Sequence, residues 1–280
     1  MTTVTSRALA GQIAVVTGAS RGVGKGIALG LGEAGMTVYV TGRTTTEGAR
    51  PGDMPGTIEE TAAQVTAAGG RGIAVACDHA VDSDVEALIA RVIAENSRID
   101  VLVNNAFAIP NGKITGPFWE LPLSQWDTMH RVGLRSHYVA SLLCAPHMVN
   151  VKRGLIVNVS SFGAKIRAVN VAYGVGKAGL DRMSRDMAAE LTPHGVCAVS
   201  LWPGIVKTER LLLEPDRLGF DPTHGESPLF SGRAVAAIAT DPKRIERAGQ
   251  ALVVAELARE YGFTDIDGTQ PRSLRDEKKS

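Results

Sequence analysis

Residues 12–24 most narrow what this chain can fold into. Gln12-Ile13-Ala14-Val15-Val16-Thr17 is a short apolar, β-branched run of the kind that forms a strand buried on both faces. Gly18-Ala19-Ser20-Arg21-Gly22-Val23-Gly24 follows at once, and Lys25 to Ala34 reads as a helix. Strand, glycine turn and helix start together make a cradle for phosphate. Glycine permits a tight turn and close backbone approach, while the helix dipole and unpaired N–H groups face the anion. The spacing Thr17-Gly18-x-x-x-Gly22-x-Gly24 at a first strand–helix junction therefore points to a bound dinucleotide, with Gly18, Ser20, Arg21, Gly22, Val23 and Gly24 as candidate contacts.

Six more strand-like runs follow: Thr37 to Thr41, Ile73 to Cys77, Ile99 to Val103, Leu155 to Val159, Val196 to Leu201 and Ala251 to Val254. Helical patterns separate them, and such alternation builds an α/β fold of Rossmann type, a doubly wound parallel sheet of about seven strands in a three-layer α/β/α sandwich. Thr57 with Glu60, and Ser83 with Glu86, read as capping boxes starting two of the helices. With 280 residues and 44% hydrophobic content, one full core and a single domain over 1–280 are expected, with a flexible start at 1–9 and a polar tail at 268–280. Two long connections, Thr44 to Gly56 and Lys207 to Ser231, overhang the strands' carboxyl ends in this architecture, where ligands bind. Residues 207–231 therefore form either a substrate lid or a partner-facing surface loop.

Several classes of function are excluded. A formal charge of +1, with lysine and arginine spread along the chain, offers no basic field for nucleic acid, so the expected partner is a small molecule. Cys77, Cys144 and Cys197 are odd in number and widely spaced, as buried thiols in a reducing compartment are. The histidines show no ligand spacing, so no metal is expected, and His130 and His137 read as surface or helix-packing residues. No apolar run reaches the ~20 residues of a membrane helix, the nearest, Tyr138 to Val151, being broken by Pro146 and His147. Residues 1–10 lack the apolar core of a signal peptide, so a cytoplasmic, membrane-free protein is expected.

The end of the second strand distinguishes between cofactors. A ribose diol calls for Asp or Glu there, and a 2′-phosphate calls for a cation. The sequence is Val40-Thr41-Gly42-Arg43, with no carboxylate before Glu47, and Arg21 can add a second positive charge. Arginine forks match phosphate, so NADP(H) is preferred, with NAD(H) possible.

Tyr173 and Lys177, in Ala-Tyr-Gly-Val-Gly-Lys-Ala-Gly, share one helical face about 6 Å apart along the axis. A fixed ammonium beside a phenol, whose ordinary pKa is near ~10, is expected to lower it toward the range of a working acid or base.

With these motifs in order, and with Asp78, Asn104-Asn105-Ala106, Asn158-Val159-Ser160-Ser161 and Pro203-Gly204-Ile205-Val206-Lys207-Thr208 between and after them, the chain resembles the short-chain dehydrogenase/reductase family from about Leu9 to Val254. The segments Val132 to Tyr138, Val171 to Lys177 and Ser200 to Val206 narrow the resemblance to one branch of it. The resemblance implies further cofactor contacts at Asp78, Asn104, Ala106, Tyr173, Lys177, Pro203, Gly204, Val206 and Thr208, those after the sixth strand fixing the nicotinamide carboxamide. It also implies a catalytic serine. Counting along Asn-x-Ser-Ser selects Ser161, and counting back from Tyr173 selects Ser160; the strand-end count is preferred, because the following loop can lose a residue. The implied reaction is carbonyl reduction, or its reverse. Ser161 orients the oxygen, Tyr173 delivers the proton, and Lys177 tunes the phenol and binds the nicotinamide ribose. A homodimer or homotetramer pairing the helices of Ser124 to Val149 and Tyr173 to Leu191 is implied as well.

Two positions depart from the family. Gly133 stands where an asparagine commonly holds a water linking the lysine to solvent, and Phe107 replaces a glycine after Asn104-Asn105-Ala106. Phe107, Phe118, Trp119, Phe162 and Trp202 lie near expected site loops, and either line a pocket for an apolar carbonyl or alcohol substrate or are plain packing residues. A non-catalytic NADP-binding sensor or scaffold, and an epimerase or dehydratase on the same fold, are the other readings these residues permit.

Overall fold

A computed structural model describes residues 7–48, 54–218 and 221–276. The chain runs β1 (Ile13–Val16), α1 (Gly22–Glu33), β2 (Thr37–Gly42), α2 (Ile58–Ala67), β3 (Arg71–Ala76), α3 (Asp82–Asn96) and β4 (Val101–Asn104). It continues through α4 (Leu123–His130), a π-helical turn (Arg131–Arg135), α5 (Ser136–Asn150), β5 (Gly154–Val159), α6 (Val171–Leu191) and β6 (Val196–Trp202). The last elements are α7 (Glu209–Leu213), α8 (Pro215–Leu218), α9 (Pro228–Thr240), β7 (Ala251–Val253) and α10 (Val254–Tyr261).

All seven expected strands form, in the order β3-β2-β1-β4-β5-β6-β7, and every pair is parallel. Alternation along each strand feeds two cores. Ala14 and Val16 face the layer holding α1, α2, α9 and α10, and Ile13 and Val15 face the layer holding α3, α5 and α6. Strand order reverses between β1 and β4, which opens a crevice at their carboxyl ends. The register Val16↔Val103 and Asn104↔Asn158 sets the glycine loop beside the end of β4 and that end beside β5. β3 starts at Arg71, two residues before its apolar run, because an edge strand needs only the ladder from Thr37↔Arg71 onward.

Thr57 and Glu60 make their reciprocal capping box at 3.1 Å in both directions. The second box does not form. α3 begins at Asp82 behind Val81, with no side-chain cap, so Ser83 already lies inside the first turn and cannot cap it; in the turn before the helix Asp78 Oδ1 accepts the Ala80 N–H and Asp84 Oδ2 accepts the Asp78 N–H, both at 2.9 Å. Glycines continue along α1 beyond the phosphate loop for a packing reason. A Cβ on Gly26 would lie 1.9 Å from the Pro228 carbonyl oxygen and one on Gly30 2.4 Å from the Gly232 carbonyl carbon, so α1 and α9 meet backbone to backbone.

Of the stretch expected to be flexible, residues 1–6 lie outside the described residues, whereas Leu9 is buried and its N–H donates to Ala34 O at 3.0 Å. The polar tail folds back: Ser273 is buried with its hydroxyl on Glu256, and Arg275 pairs with Glu256 at 2.8 Å and covers the Trp202 ring. Residues 277–280 lie outside the described residues. The connection at 207–231 contains α7, α8 and a parallel bridge between Val206 and Glu226. Among the described residues no helix is long and apolar enough to cross a membrane; Pro146 sits inside α5.

Candidate active site

The cradle is assembled across β1 and β4. Thr17 Oγ1 accepts the N–H groups of Asn105 at 2.9 Å and Ala106 at 3.0 Å, and Asn105 Nδ2 donates back to the carbonyls of Thr17 and Gly18. Gly18 is left-handed at φ +63, and a Cβ there would stand 2.7 Å from Ala106 Cα. A Cβ on Gly24 would stand 2.3 Å from Asn105 Nδ2, so both glycines are dictated by backbone approach. Helix α1 has no side-chain cap at Arg21, and its first N–H, that of Gly22, is held at 2.7 Å by the carboxylate of Glu209. A carboxylate oxygen seated on a helix start stands in for a phosphate oxygen, so the cradle fits the diphosphate of a dinucleotide. Thr208 closes over the same point, its methyl 3.2 Å from where a Gly22 Cβ would lie.

The other candidate contacts divide into those facing the crevice and those used as framework. Arg43 ends β2 half exposed, 3.9 Å from the Asp78 carboxylate, and Asp78 also caps the turn into α3. Arg21 is bound to framework: its guanidinium donates to the carbonyls of Met54, Pro55 and Gly56, pinning the connection after β2 beside the cradle. Ser20 is buried, and its carbonyl accepts the Thr61 hydroxyl. Val23 packs against the core from α1. The Asn104 side chain is fully buried and donates to Ser141 Oγ and Asn158 Oδ1, both at 2.9 Å, so Asn105 rather than Asn104 braces the glycine loop. Pro203, Gly204 and Val206 follow β6, and the Thr208 N–H donates to Val206 O at 2.7 Å.

Tyr173 enters from the first turn of α6. Asn170 caps that helix, accepting the Tyr173 N–H at 2.8 Å while its amide donates to Ile114 O at 2.8 Å, which ties the loop after β4 to the helix start. Val169, just before the cap, is a β-branched residue at φ +57, a strained conformation held by this double anchorage. The Tyr173 hydroxyl donates to Ser161 Oγ at 2.9 Å, and Ser161 also accepts the Gly163 N–H. Ser160 points the other way, its hydroxyl on the Lys177 carbonyl at 3.0 Å.

Lys177 is buried, and its ammonium donates to Val159 O at 2.9 Å, 5.1 Å from the Phe107 ring centroid and 5.7 Å from that of Tyr173. Burial pushes it down to about 8, opposed by Asp181 one turn along α6. The expected lowering of the phenol is not what this geometry produces. Burial pushes the Tyr173 phenol up, and the opposing influence is the Ser161 hydrogen bond, because the ammonium reaches to the Val159 carbonyl rather than the phenol oxygen.

Phe107 and Gly133 are two halves of one exchange. A Cβ on Gly133 would meet the Phe107 ring at 2.4 Å, so that ring occupies the space an asparagine side chain would need, and it packs edge-on to Tyr173 at 5.8 Å. His137 is buried and pushed down to about 3 by burial, donating from Nε2 to Ala106 O at 2.9 Å; it is a neutral strut of the cradle, not a surface residue. Phe162 and Trp202 take the packing one of their two readings. They are buried and packed edge-on at 5.0 Å, so they belong to the core rather than to a substrate wall.

Three contributors carry weak or no sequence signals. Asp181, which accepts from Ser200 Oγ and Trp202 Nε1, could have been found from its four-residue spacing to Lys177. Glu209 and Glu226 reach the site only through folding of the 207–231 connection.

Comparison with known proteins shows the family and the fold. Residues 12–214 match the family model described as short chain dehydrogenase. The chain is 45% identical to dehydrogenase/reductase SDR family member 1 of Mus musculus and 43% identical to that of Homo sapiens, each alignment covering 92% of this chain and 84% of the relative. Among solved structures, a putative dehydrogenase from Xanthomonas campestris superposes with a TM-score of 0.79 at 29% identity, over 94% of this chain and 93% of that one. A metagenomic short-chain oxidoreductase in complex with NADP superposes with a TM-score of 0.70 at 31% identity, over 88% and 97%.

Proposed function

The chain belongs to the short-chain dehydrogenase family and is an oxidoreductase; from that premise we propose that it interconverts a carbonyl and an alcohol on an apolar small molecule with NADP(H), using Tyr173 as general acid and base. The observation that carries the proposal is the 2.9 Å hydrogen bond from Tyr173 to Ser161, with Lys177 buried beside it. The bound nicotinamide cofactor supplies or accepts the hydride. Gly18, Gly22, Val23 and Gly24 would hold its diphosphate, and Pro203, Gly204, Val206 and Thr208 its carboxamide end. Ser161 holds the substrate oxygen, and Tyr173 gives that oxygen its proton. A phenol pushed up by burial stays protonated at neutral pH, as a proton donor must. Lys177, buried beside the phenol ring with its ammonium on the Val159 carbonyl, would hold the nicotinamide ribose. Alcohol oxidation uses the same groups in reverse.

Arg43, half exposed at the end of β2, supports NADP(H) over NAD(H). The exposed Phe118, Trp119, Leu212 and Leu213 on the two connections flanking the site support an apolar substrate. Free, buried cysteines support a reducing, cytoplasmic location. A homodimer or homotetramer is supported by the groove of about 1100 Å³ bounded by the start of α3, α4, the π-helical turn, α5 and α6, where Trp126, Leu134, Tyr138 and Met183 lie beside the Asp82–Arg135 pair.

The test is NADPH oxidation across ketones, aldehydes and quinones. Tyr173→Phe should lose at least ~10²-fold in turnover while still binding NADPH; unchanged turnover refutes the assignment. A KM for NADH equal to or below that for NADPH refutes the cofactor preference.

A further inference from the structure

A carboxyl group is costly to bury, and Glu226 is 2% exposed although nothing in the proposed chemistry uses it. Its place in the fold supplies the reason. Main-chain bonds join it to the loop after β6 on both sides, its N–H to Ile205 O at 2.8 Å and its carbonyl to the Lys207 N–H at 2.9 Å, which makes the parallel bridge to Val206. The side chain reaches the same loop: a Cβ on Gly204 would lie 2.8 Å from Glu226 Oε2, and the Gly204 N–H donates to the carboxyl. Gly204, Ile205 and Lys207 are thus all held by one residue. Ser231 faces the carboxyl from α9, but among the described residues neither its hydroxyl nor Glu226 Oε1 makes a hydrogen bond of good geometry. Asp265 faces it from the segment after α10 and holds the next residue, accepting both the N–H and the hydroxyl of Ser227.

A half-satisfied buried acid is a poor device for stability, since a neutral side chain of similar size would serve better. We propose that Glu226 is a positioning residue for the nicotinamide end of the cofactor, acting through Gly204 and Val206 by fixing the loop on which the carboxamide docks. It touches neither substrate nor cofactor. The inference rests on the NADP(H) reading above and adds to it a residue and a pH dependence.

Burial, with the nearby Asp265 carboxylate, pushes Glu226 up to about 8 from its ordinary 4.5. The neutral acid is therefore the form that packs at neutral pH. Because the folded value is the higher one, the strap is held most strongly below pH 4.5 and weakens progressively as pH rises from there to about 8, above which a second carboxylate stands beside Asp265 in a dry site.

The experiment is isothermal calorimetry of the wild type, Glu226→Ala and Glu226→Gln with two probes, NADPH and 2′-phosphoadenosine diphosphate ribose, which lacks the nicotinamide. In Glu226→Ala, NADPH affinity should fall about tenfold, the scale of one hydrogen bond to a charged or strongly polar partner, while affinity for the second probe stays unchanged. Glu226→Gln should bind NADPH as the wild type does at pH 7 and lack the wild type's fall in NADPH affinity above pH 8. Equal losses on both probes, or no loss on either, overturn the positioning role while leaving the NADP(H) reading in place. A wild type that binds neither probe overturns that reading and this inference with it.

Discussion

Lys177→Met should make the protein more stable and much less active, and the gain in stability should disappear at high pH. Burial lowers the Lys177 ammonium from 10.5 to about 8, which corresponds to roughly 3 kcal/mol of destabilisation wherever the group is charged in both folded and unfolded chains. Methionine keeps the unbranched stem against the Phe107 and Tyr173 rings, so little packing is lost. It forfeits the hydrogen bond to the Val159 carbonyl, worth about 1 kcal/mol. The net gain is about 2 kcal/mol below pH 8. Between pH 8 and 10.5 the unfolded wild type binds more protons than the folded one, so wild-type stability rises with pH and the gap to the mutant closes. Urea unfolding followed by tryptophan fluorescence at pH 7 and pH 10 measures this directly. A gap that stays constant or widens with pH shows that Lys177 is not held in a desolvated, destabilised state. Turnover should fall in the same protein, since the nicotinamide ribose loses the ammonium that would hold it; full activity refutes the role assigned to Lys177.

Gly133→Ala should cost about 1–3 kcal/mol by driving a methyl into the Phe107 ring, and adding Phe107→Ala should recover part of it, so a double-mutant cycle in urea should show coupling between the two sites; additive effects refute the single-exchange account. Glu209→Gln should tighten NADPH binding several-fold, because the carboxylate on the Gly22 N–H occupies a phosphate position and repels the incoming diphosphate. Calorimetry showing equal or weaker binding removes the competition argument. Thr57→Ala should cost about 1 kcal/mol as the capping box at the start of α2 is lost, read as a lower urea midpoint with an unchanged slope.

The fold was legible because its signals are local. Seven apolar runs became seven parallel strands, and the glycine spacing after the first marked a strand–turn–helix junction. The Ser83–Glu86 capping box was misread because α3 starts at Asp82, behind Val81, which puts Ser83 inside the first turn where it cannot cap. Phe162 and Trp202 stayed undecided because aromatic residues beside a site and aromatic residues of a core look the same in one dimension; tertiary packing buried both rings.

Sequence by itself determined the sheet, the glycine-rich turn between β1 and α1, the cation after β2 and the four-residue step from Tyr173 to Lys177, because each lies within one element or one junction. Only the tertiary structure decided which serine meets the phenol, where the Lys177 ammonium is anchored, and that Phe107 takes the volume left by Gly133. Only it brought Glu209 onto the first turn of α1 and Glu226 under Gly204. These contacts join residues from 12 to 187 positions apart. No periodicity or spacing encodes such pairs; they exist because parallel strands end at one crevice and the connections between them must pack there.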